Sequence, residues 1–147
     1  MNEYKKSCKD EIHWNEITQL HEATLQISKS CFEFKKLCVG LIGVSMVVLG
    51  KLTGNDLDHS YFVVPLLICL GFWIADFTAY YYQRMTRKNM NKRIKLIAED
   101  NELDGLEISE IGVSWKMSAF NLSMSLYFVL AAFAVIGWLL FFNEVIG

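Results

Sequence analysis

The chain reads as an all-α membrane protein, an N-terminal cytoplasmic coiled-coil helix followed by three transmembrane helices, and three observations carry that reading. Of its 147 residues, 53% are apolar and 14% aromatic, too apolar a mixture for an ordinary soluble domain of this size. The apolar residues gather into three runs, Leu37 to Leu52, Tyr61 to Tyr82 and Ala119 to Phe142, and the segments between them hold nearly all the charge. Leading into the first run, His13, Ile17, Leu20, Thr24, Ile27, Cys31, Phe34 and Cys38 follow the three-four spacing of a helix that buries one narrow stripe.

The boundaries that follow are a cytoplasmic helix over 1–36, a membrane part over 37–142 and a short tail over 143–147. Within the membrane part, 83–118 forms a basic cytoplasmic helix and loop. The first helix is expected to begin near Ser7, whose spacing to Asp10 suits a capping box. Acidic residues crowd its start and Lys29, Lys35 and Lys36 its end, which favours the helix dipole at both ends. With Ile17, Thr24 and Cys31 at heptad position a, Leu20, Ile27 and Phe34 fall at d. Asp10 and His13 share the seam, so the core selects no strand number clearly. No second soluble helix of matching length is visible, so the expected partner is another copy, with a tetramer as the working size. The alternative is an amphipathic helix lying on the inner leaflet, anchored by Trp14, Phe32 and Phe34.

The first run has about fourteen uncharged residues between Lys36 and Lys51, roughly 21 Å of helix. That is short of a hydrocarbon layer of about 30 Å, and the two lysines can snorkel to make up much of the deficit. Thr53-Gly54-Asn55-Asp56 is a turn signal, so the first two spans form an antiparallel hairpin. Pro65 is placed in the first turn of the second span, where its missing N–H matters little. Tyr61 and Phe62 at one end, and Tyr80, Tyr81 and Tyr82 at the other, are the aromatic belts of two water interfaces. A basic stalk then runs to about Ala98, and Glu99-Asp100-Asn101-Glu102 and Asp104-Gly105 break it. Leu106, Ile108, Ile111 and Trp115 form an interfacial strip leading into the third span.

Charge sets the orientation. Lys35 and Lys36 precede the first span and six basic residues follow the second, whereas the 51–60 loop sets one Lys against Asp56 and Asp58. The positive-inside rule puts the N-terminus and 83–118 in the cytoplasm and the C-terminus outside. No basic start with a short apolar stretch marks a cleavable signal peptide. Cys8, Cys31, Cys38 and Cys69 lack metal or CxxC spacing and read as small apolar residues rather than a disulfide framework. Cys31 and Cys38, beside the inner surface, are palmitoylation candidates in a eukaryote.

Asp76 is the acidic residue inside a span, where a charge normally faces protein or water. Its expected roles are an ion pair with Arg84 or Arg87, or a place on a cation-attracting vestibule. Ser114, Ser118, Asn121 and Ser125 fall on one face of the third span's inner half, with Ser123 beside them. They either line a water-filled pore or mediate close helix packing. Phe128, Phe133 and Leu140 are gate candidates that close by dewetting. Arg84, Arg87, Lys88, Lys92, Arg93 and Lys95 attract anionic headgroups, and equally a nucleotide or short nucleic acid. His13, His21 and His59 are scattered, and no nucleophile elbow, P-loop or HExxH is present, so no catalytic residue, metal or cofactor is expected.

The stretch Phe72-Trp73-Ile74-Ala75-Asp76-Phe77-Thr78-Ala79-Tyr80-Tyr81-Tyr82-Gln83-Arg84-Met85-Thr86-Arg87, after an entry helix and a two-span hairpin, resembles the SLATT-type small membrane effectors of bacterial anti-conflict operons. Its coil plus few spans is also similar to the membrane effectors of Hailong defence systems. The resemblance covers about residues 12 to 98 and carries over Asp76, Tyr80, Arg84 and Arg87. It implies an oligomeric ion channel in a bacterial inner membrane, closed until a nucleotide or DNA oligomer from a partner nucleotidyltransferase opens it in anti-phage defence. The rival expectation is a non-conducting scaffold whose coil recruits a soluble partner.

Overall fold

The computed structural model describes residues 7–54, 56–103 and 108–143. Asn55, Asp104, Gly105 and Leu106, named above in turns and in the interfacial strip, lie outside the described residues, as does the tail from 144. The described elements are helical, with no strand among them. They are α1 (Cys8–Leu52), α2 (Ser60–Asp100), α3 (Trp115–Ala119), a 3-10 turn (Leu122–Met124) and α4 (Ser125–Phe142).

Local chemistry sets the helix ends. The Ser7 hydroxyl accepts from the Asp10 amide at 3.1 Å and the Asp10 carboxylate accepts from the Ser7 amide at 3.0 Å, the reciprocal cap expected from the spacing. α1 stops at Leu52, and Gly54 follows with φ +68°, a conformation that an L side chain rarely adopts. α2 begins at Ser60, so Pro65 is its sixth residue and lies in the second turn instead of the first. At the far end Asn101 folds its amide back on the Ile97 carbonyl at 2.8 Å, and Glu102 turns to φ +50°.

α1 and α2 are 45 and 41 residues long and form an antiparallel hairpin. Its register is constant: Lys9 meets Asp100, Asp10 meets Asn101, Glu16 meets Arg93, Ser28 meets Gln83 and Lys35 meets Asp76. Buried positions recur every seven residues, at Asp10, Ile17, Thr24, Cys31 and Cys38 on α1 and at Phe62, Cys69, Asp76 and Gln83 on α2. The α1 stripe that the sequence assigns to another copy therefore packs within the chain. Ile17, Thr24 and Cys31 are buried, and Leu20, Ile27 and Phe34 half-buried. The physical reason is that the expected basic stalk is one unbroken helix with the second apolar run, Ser60–Asp100, so α2 itself is long enough to cover the stripe.

α4 runs antiparallel to α2. Phe62 packs on Phe141 with ring centres 5.6 Å apart, and Trp73 packs on Phe120 and Phe128 at 6.0 Å. Two helices are long and apolar enough to cross a membrane, α2 and the stretch Leu122–Phe142. Only 22% and 6% of their apolar windows are buried. A soluble protein's core helix would be mostly covered, whereas these present Leu67, Leu70, Phe133, Ile136 and Leu139 outward. The Leu37 to Leu52 end of α1 lies alongside α2, with Leu41, Val44 and Val47 also facing out.

The third run differs from expectation at its start. Ser114, Ser118, Asn121 and Ser125 do not share one helix, because the chain breaks after Ala119 and regular α-helix resumes at Ser125. Asn121 makes the break: its Oδ1 accepts from the Ser123 amide and its Nδ2 donates to the Ser118 carbonyl, both at 2.6 Å. A short amide offers the backbone an alternative to helical pairing, and here it wins. Trp73 Nε1 donates to the Ala119 carbonyl at 3.1 Å, satisfying an acceptor that the interrupted helix leaves free.

Candidate functional site

The two long helices change from polar to apolar at one level, and regular α4 begins there. On α1 the apolar run starts at Leu37, on α2 the uncharged run from Tyr61 ends at Ala75, and α4 begins at Ser125. At that level Lys35 Nζ lies 2.5 Å from Asp76 Oδ2, and the Tyr127 hydroxyl donates to the same oxygen at 3.1 Å. Asp76 is completely buried and Tyr127 nearly so, while Lys35 keeps a small opening to solvent. The Lys35 ammonium also sits 5.9 Å from the centre of the Tyr127 ring. Asp76 Oδ1 is buried without a hydrogen-bond partner among the described residues.

The helices deliver these groups through the heptad register. Asp76 is the buried α2 position between Cys69 and Gln83, and Lys35 lies one turn after buried Cys31. Beneath them Cys38, Cys69, Met124 and Tyr127 form the core in which three helices meet. Cys31 is beside the pair on the side of the polar half of the hairpin. Burial first, and then the Asp76 carboxylate, push its thiol up to about 12, so it stays a neutral thiol at neutral pH.

The expected ion pair of Asp76 is thus present with a different cation. Arg84 instead donates to the Gly112 carbonyl from Nε at 3.1 Å and from an Nη at 2.7 Å, pinning the segment that returns toward α3. Asn91 holds the same segment through the Ser109 carbonyl at 3.0 Å. Between α2 and this segment lies a groove of about 1160 Å³. Lys88, Lys92 and Lys95 line it, against Glu99, Glu102 and Glu110. Arg93 points to the other side of α2 and pairs with Glu16 at 2.8 Å, and Arg87 is exposed. The six basic residues expected to act together are therefore divided, with three in one groove of balanced charge.

The pore and gate candidates disperse likewise. Ser118 is buried with its hydroxyl on the Ser114 carbonyl at 3.0 Å, Asn121 serves the helix break, and Ser125 is exposed. Phe128 stacks on Phe120 with ring centres 5.8 Å apart, and Phe133 and Leu140 face outward. Within one copy none of these surrounds an opening with Asp76. Sequence reasoning missed Lys35 and Tyr127. Lys35 was legible: it and Asp76 stand at similar distances on either side of the Gly54 turn, so folding the hairpin on paper brings them together. No family model matches the chain, and comparisons with curated proteins and with solved structures find no match.

Proposed function

We propose that the chain is a homo-oligomeric membrane channel or pore-forming effector that an anionic signal opens from the cytoplasmic side, depolarising the membrane. The observation that carries this reading is the Lys35–Asp76–Tyr127 contact. A buried ion pair returns little net stability compared with apolar packing of the same volume. Its position suits a switch better than a brace, because it ties α1, α2 and α4 together where the water-facing hairpin enters the apolar band. Tilting or sliding the hairpin against α4 has to lengthen this contact, which gives a signal in the hairpin a route to the spans.

In this reading α1, α2 and α4 all cross the bilayer, and α1 pairs with α2 as an antiparallel coiled coil inside each copy. The N-terminus and the basic helix are cytoplasmic and the C-terminus is periplasmic, as the Lys and Arg bias favours. The resemblance to SLATT-type effectors supplies the bacterial inner membrane, the setting in anti-phage defence and the class of signal, a nucleotide or DNA oligomer made by a partner nucleotidyltransferase. Lys88, Lys92 and Lys95 are the cations it would meet. Their groove also holds three glutamates, so shape and placed contacts have to select the ligand, and bulk charge does not. The chain has no enzymatic role here.

A second reading has its own support. Beyond Ser125 the exterior of α4 is apolar, and in the segment before it the Ser118 hydroxyl and the Asn121 amide are spent on backbone carbonyls, so little polar surface is left along it for ions. That favours a non-conducting anchor whose cytoplasmic hairpin recruits a soluble partner. Ion flux separates the two. Purified full chain in potassium-loaded liposomes is expected to leak only when nucleotides or short DNA oligomers are added, with Asp76→Asn altering the response. Liposomes that stay tight with every such addition, while cells still depend on the protein, would leave the anchor standing.

A further inference from the structure

We infer that copies of this chain meet along a second stripe of α1, formed by Trp14, Leu25, Phe32 and Val39, which the hairpin leaves open. The inference rests on the homo-oligomeric part of the reading above and moves the interface from the stripe expected from the sequence to a different face of the same helix.

The stripe expected from the sequence is taken, since Ile17, Thr24 and Cys31 are buried against α2. Trp14, Leu25, Phe32 and Val39 are 43%, 50%, 60% and 49% exposed. At 3.6 residues per turn they fall within about 40° of one another, and the last three repeat every seven residues. The Lys36 ammonium covers part of Phe32, 4.5 Å from its ring centre, and Trp14 and Leu25 stand in the charged, water-facing half. Large apolar side chains aligned there are the feature that needs an occupant.

Lipid cannot be that occupant over the whole stripe. Leu25 and Trp14 stand roughly 18 and 35 Å along the helix from Leu37, where the apolar run begins. The headgroup layer extends only about 5–7 Å beyond the hydrocarbon on each side. A soluble protein could cover Trp14 and Leu25 but could not follow the stripe to Val39, which is level with the apolar band. A partner that fits both parts has a water-facing helix continuing without a break into an apolar one, with its side chains in the same register. A second copy of this chain has that form. Both copies enter the membrane in the same direction, so their α1 helices lie parallel, Leu25 near Leu25 and Val39 near Val39.

Disulfide trapping of the full chain in membranes tests this. In a Cys8→Ser background, Leu25→Cys and Val39→Cys are expected to give covalent dimers on mild oxidation, and Gln19→Cys and Gln26→Cys, exposed on another face of α1, are not. The mass of the unoxidised protein in lipid nanodiscs is measured alongside. A monomer there overturns the homo-oligomeric reading and this inference with it. An oligomer that cross-links through Gln19 or Gln26 and not through Leu25 or Val39 overturns the inference alone. As an independent arm, Leu25→Asp is expected to lower the oligomer-to-monomer ratio at least tenfold with helicity unchanged, and Gln26→Asp to leave it within twofold. An unchanged ratio in Leu25→Asp also overturns the stripe.

Discussion

The two halves of the hairpin are built on one register and held by different physics. In the polar half the buried Ile17 and Ile97 are flanked by polar and charged contacts across α1 and α2: Asp10 with Asn101, Lys9 with Asp100, Glu16 with Arg93 and Ser28 with Gln83. In the apolar half Cys38 of α1 and Cys69 of α2 pack with Met124 and Tyr127 of the last segment, and Gly137 lets α4 close on Phe62. The first set exchanges protein–water contacts for similar protein–protein ones, and exposed ion pairs add at most about 1 kcal/mol each, screened by salt. The second set gains from shape and dispersion, which salt and pH hardly touch. A hairpin built this way can loosen at its polar end without losing its base. The Lys35–Asp76 pair lies at the border and belongs to both halves.

The largest expected effect comes from breaking that border. Asp76→Leu alone strands the Lys35 ammonium, and Lys35→Met alone strands a fully buried carboxylate. Each single change is expected to destabilise the protein by about 3–5 kcal/mol. The double change removes both charges and takes away only the acceptor of the buried Tyr127 hydroxyl, so it is expected to recover much of that loss. Unfolding in detergent with increasing denaturant measures all three, and additive losses in the double variant would show that the two groups do not act as a pair. Stability and function should also separate: the double variant is expected to be folded yet to lose whatever response depends on the contact.

A smaller effect isolates the apolar half. A Cβ on Gly137 would stand 2.9 Å from Cε1 of Phe62, whose ring is buried and packed on Phe141. Gly137→Ala is expected to cost about 1–2 kcal/mol through the forced shift of that ring, and Phe62→Leu in the same chain to relieve it. The loss should be the same at low and high salt, in contrast to changes at Glu16 or Arg93. A salt-dependent loss at Gly137 would mean that the apolar end is not held by packing.

How much of this was legible in the sequence depends on the range of each interaction. The Ser7 to Asp10 cap, the Gly54 turn and the end of α2 near Asn101 are local, set by residues within four of one another, and they stand where the spacing put them. The heptad stripe on α1 was also readable, because burial of one face is a property of the helix alone. Its partner was not, since a period of seven reports that something covers the stripe and not what does. The same limit hid Tyr127 from Asp76, two residues 51 apart in the chain. The helix break at Asn121 was missed for a different reason: a polar stripe at helical spacing and a run of backbone-capping side chains contain the same residue types, and only packing against Trp73 decides between them.

The smallest expected effect concerns the polar tip of the hairpin. The Ser7 amide, and with it the Ser7 hydroxyl and the Asn101 side chain, holds the Asp10 carboxyl below the usual carboxylate range. A carboxyl whose folded value is depressed stabilises the fold above its unfolded value, near 4, and that contribution is lost as pH falls through the folded value. Acid should therefore loosen the start of α1 and the end of α2, which Asp10 joins through Asn101 at 3.2 Å. Ser7→Ala, which removes one half of the cap, should cost about 1 kcal/mol and produce the same local loosening already at neutral pH. Amide exchange, corrected for its intrinsic pH dependence, is expected to lose protection in 8–20 and 90–100 as pH is lowered from 6 to 3, and to hold in 60–75. Equal loss in all three segments would mean that the hairpin opens as one unit, and the division between its halves would then have no dynamic meaning.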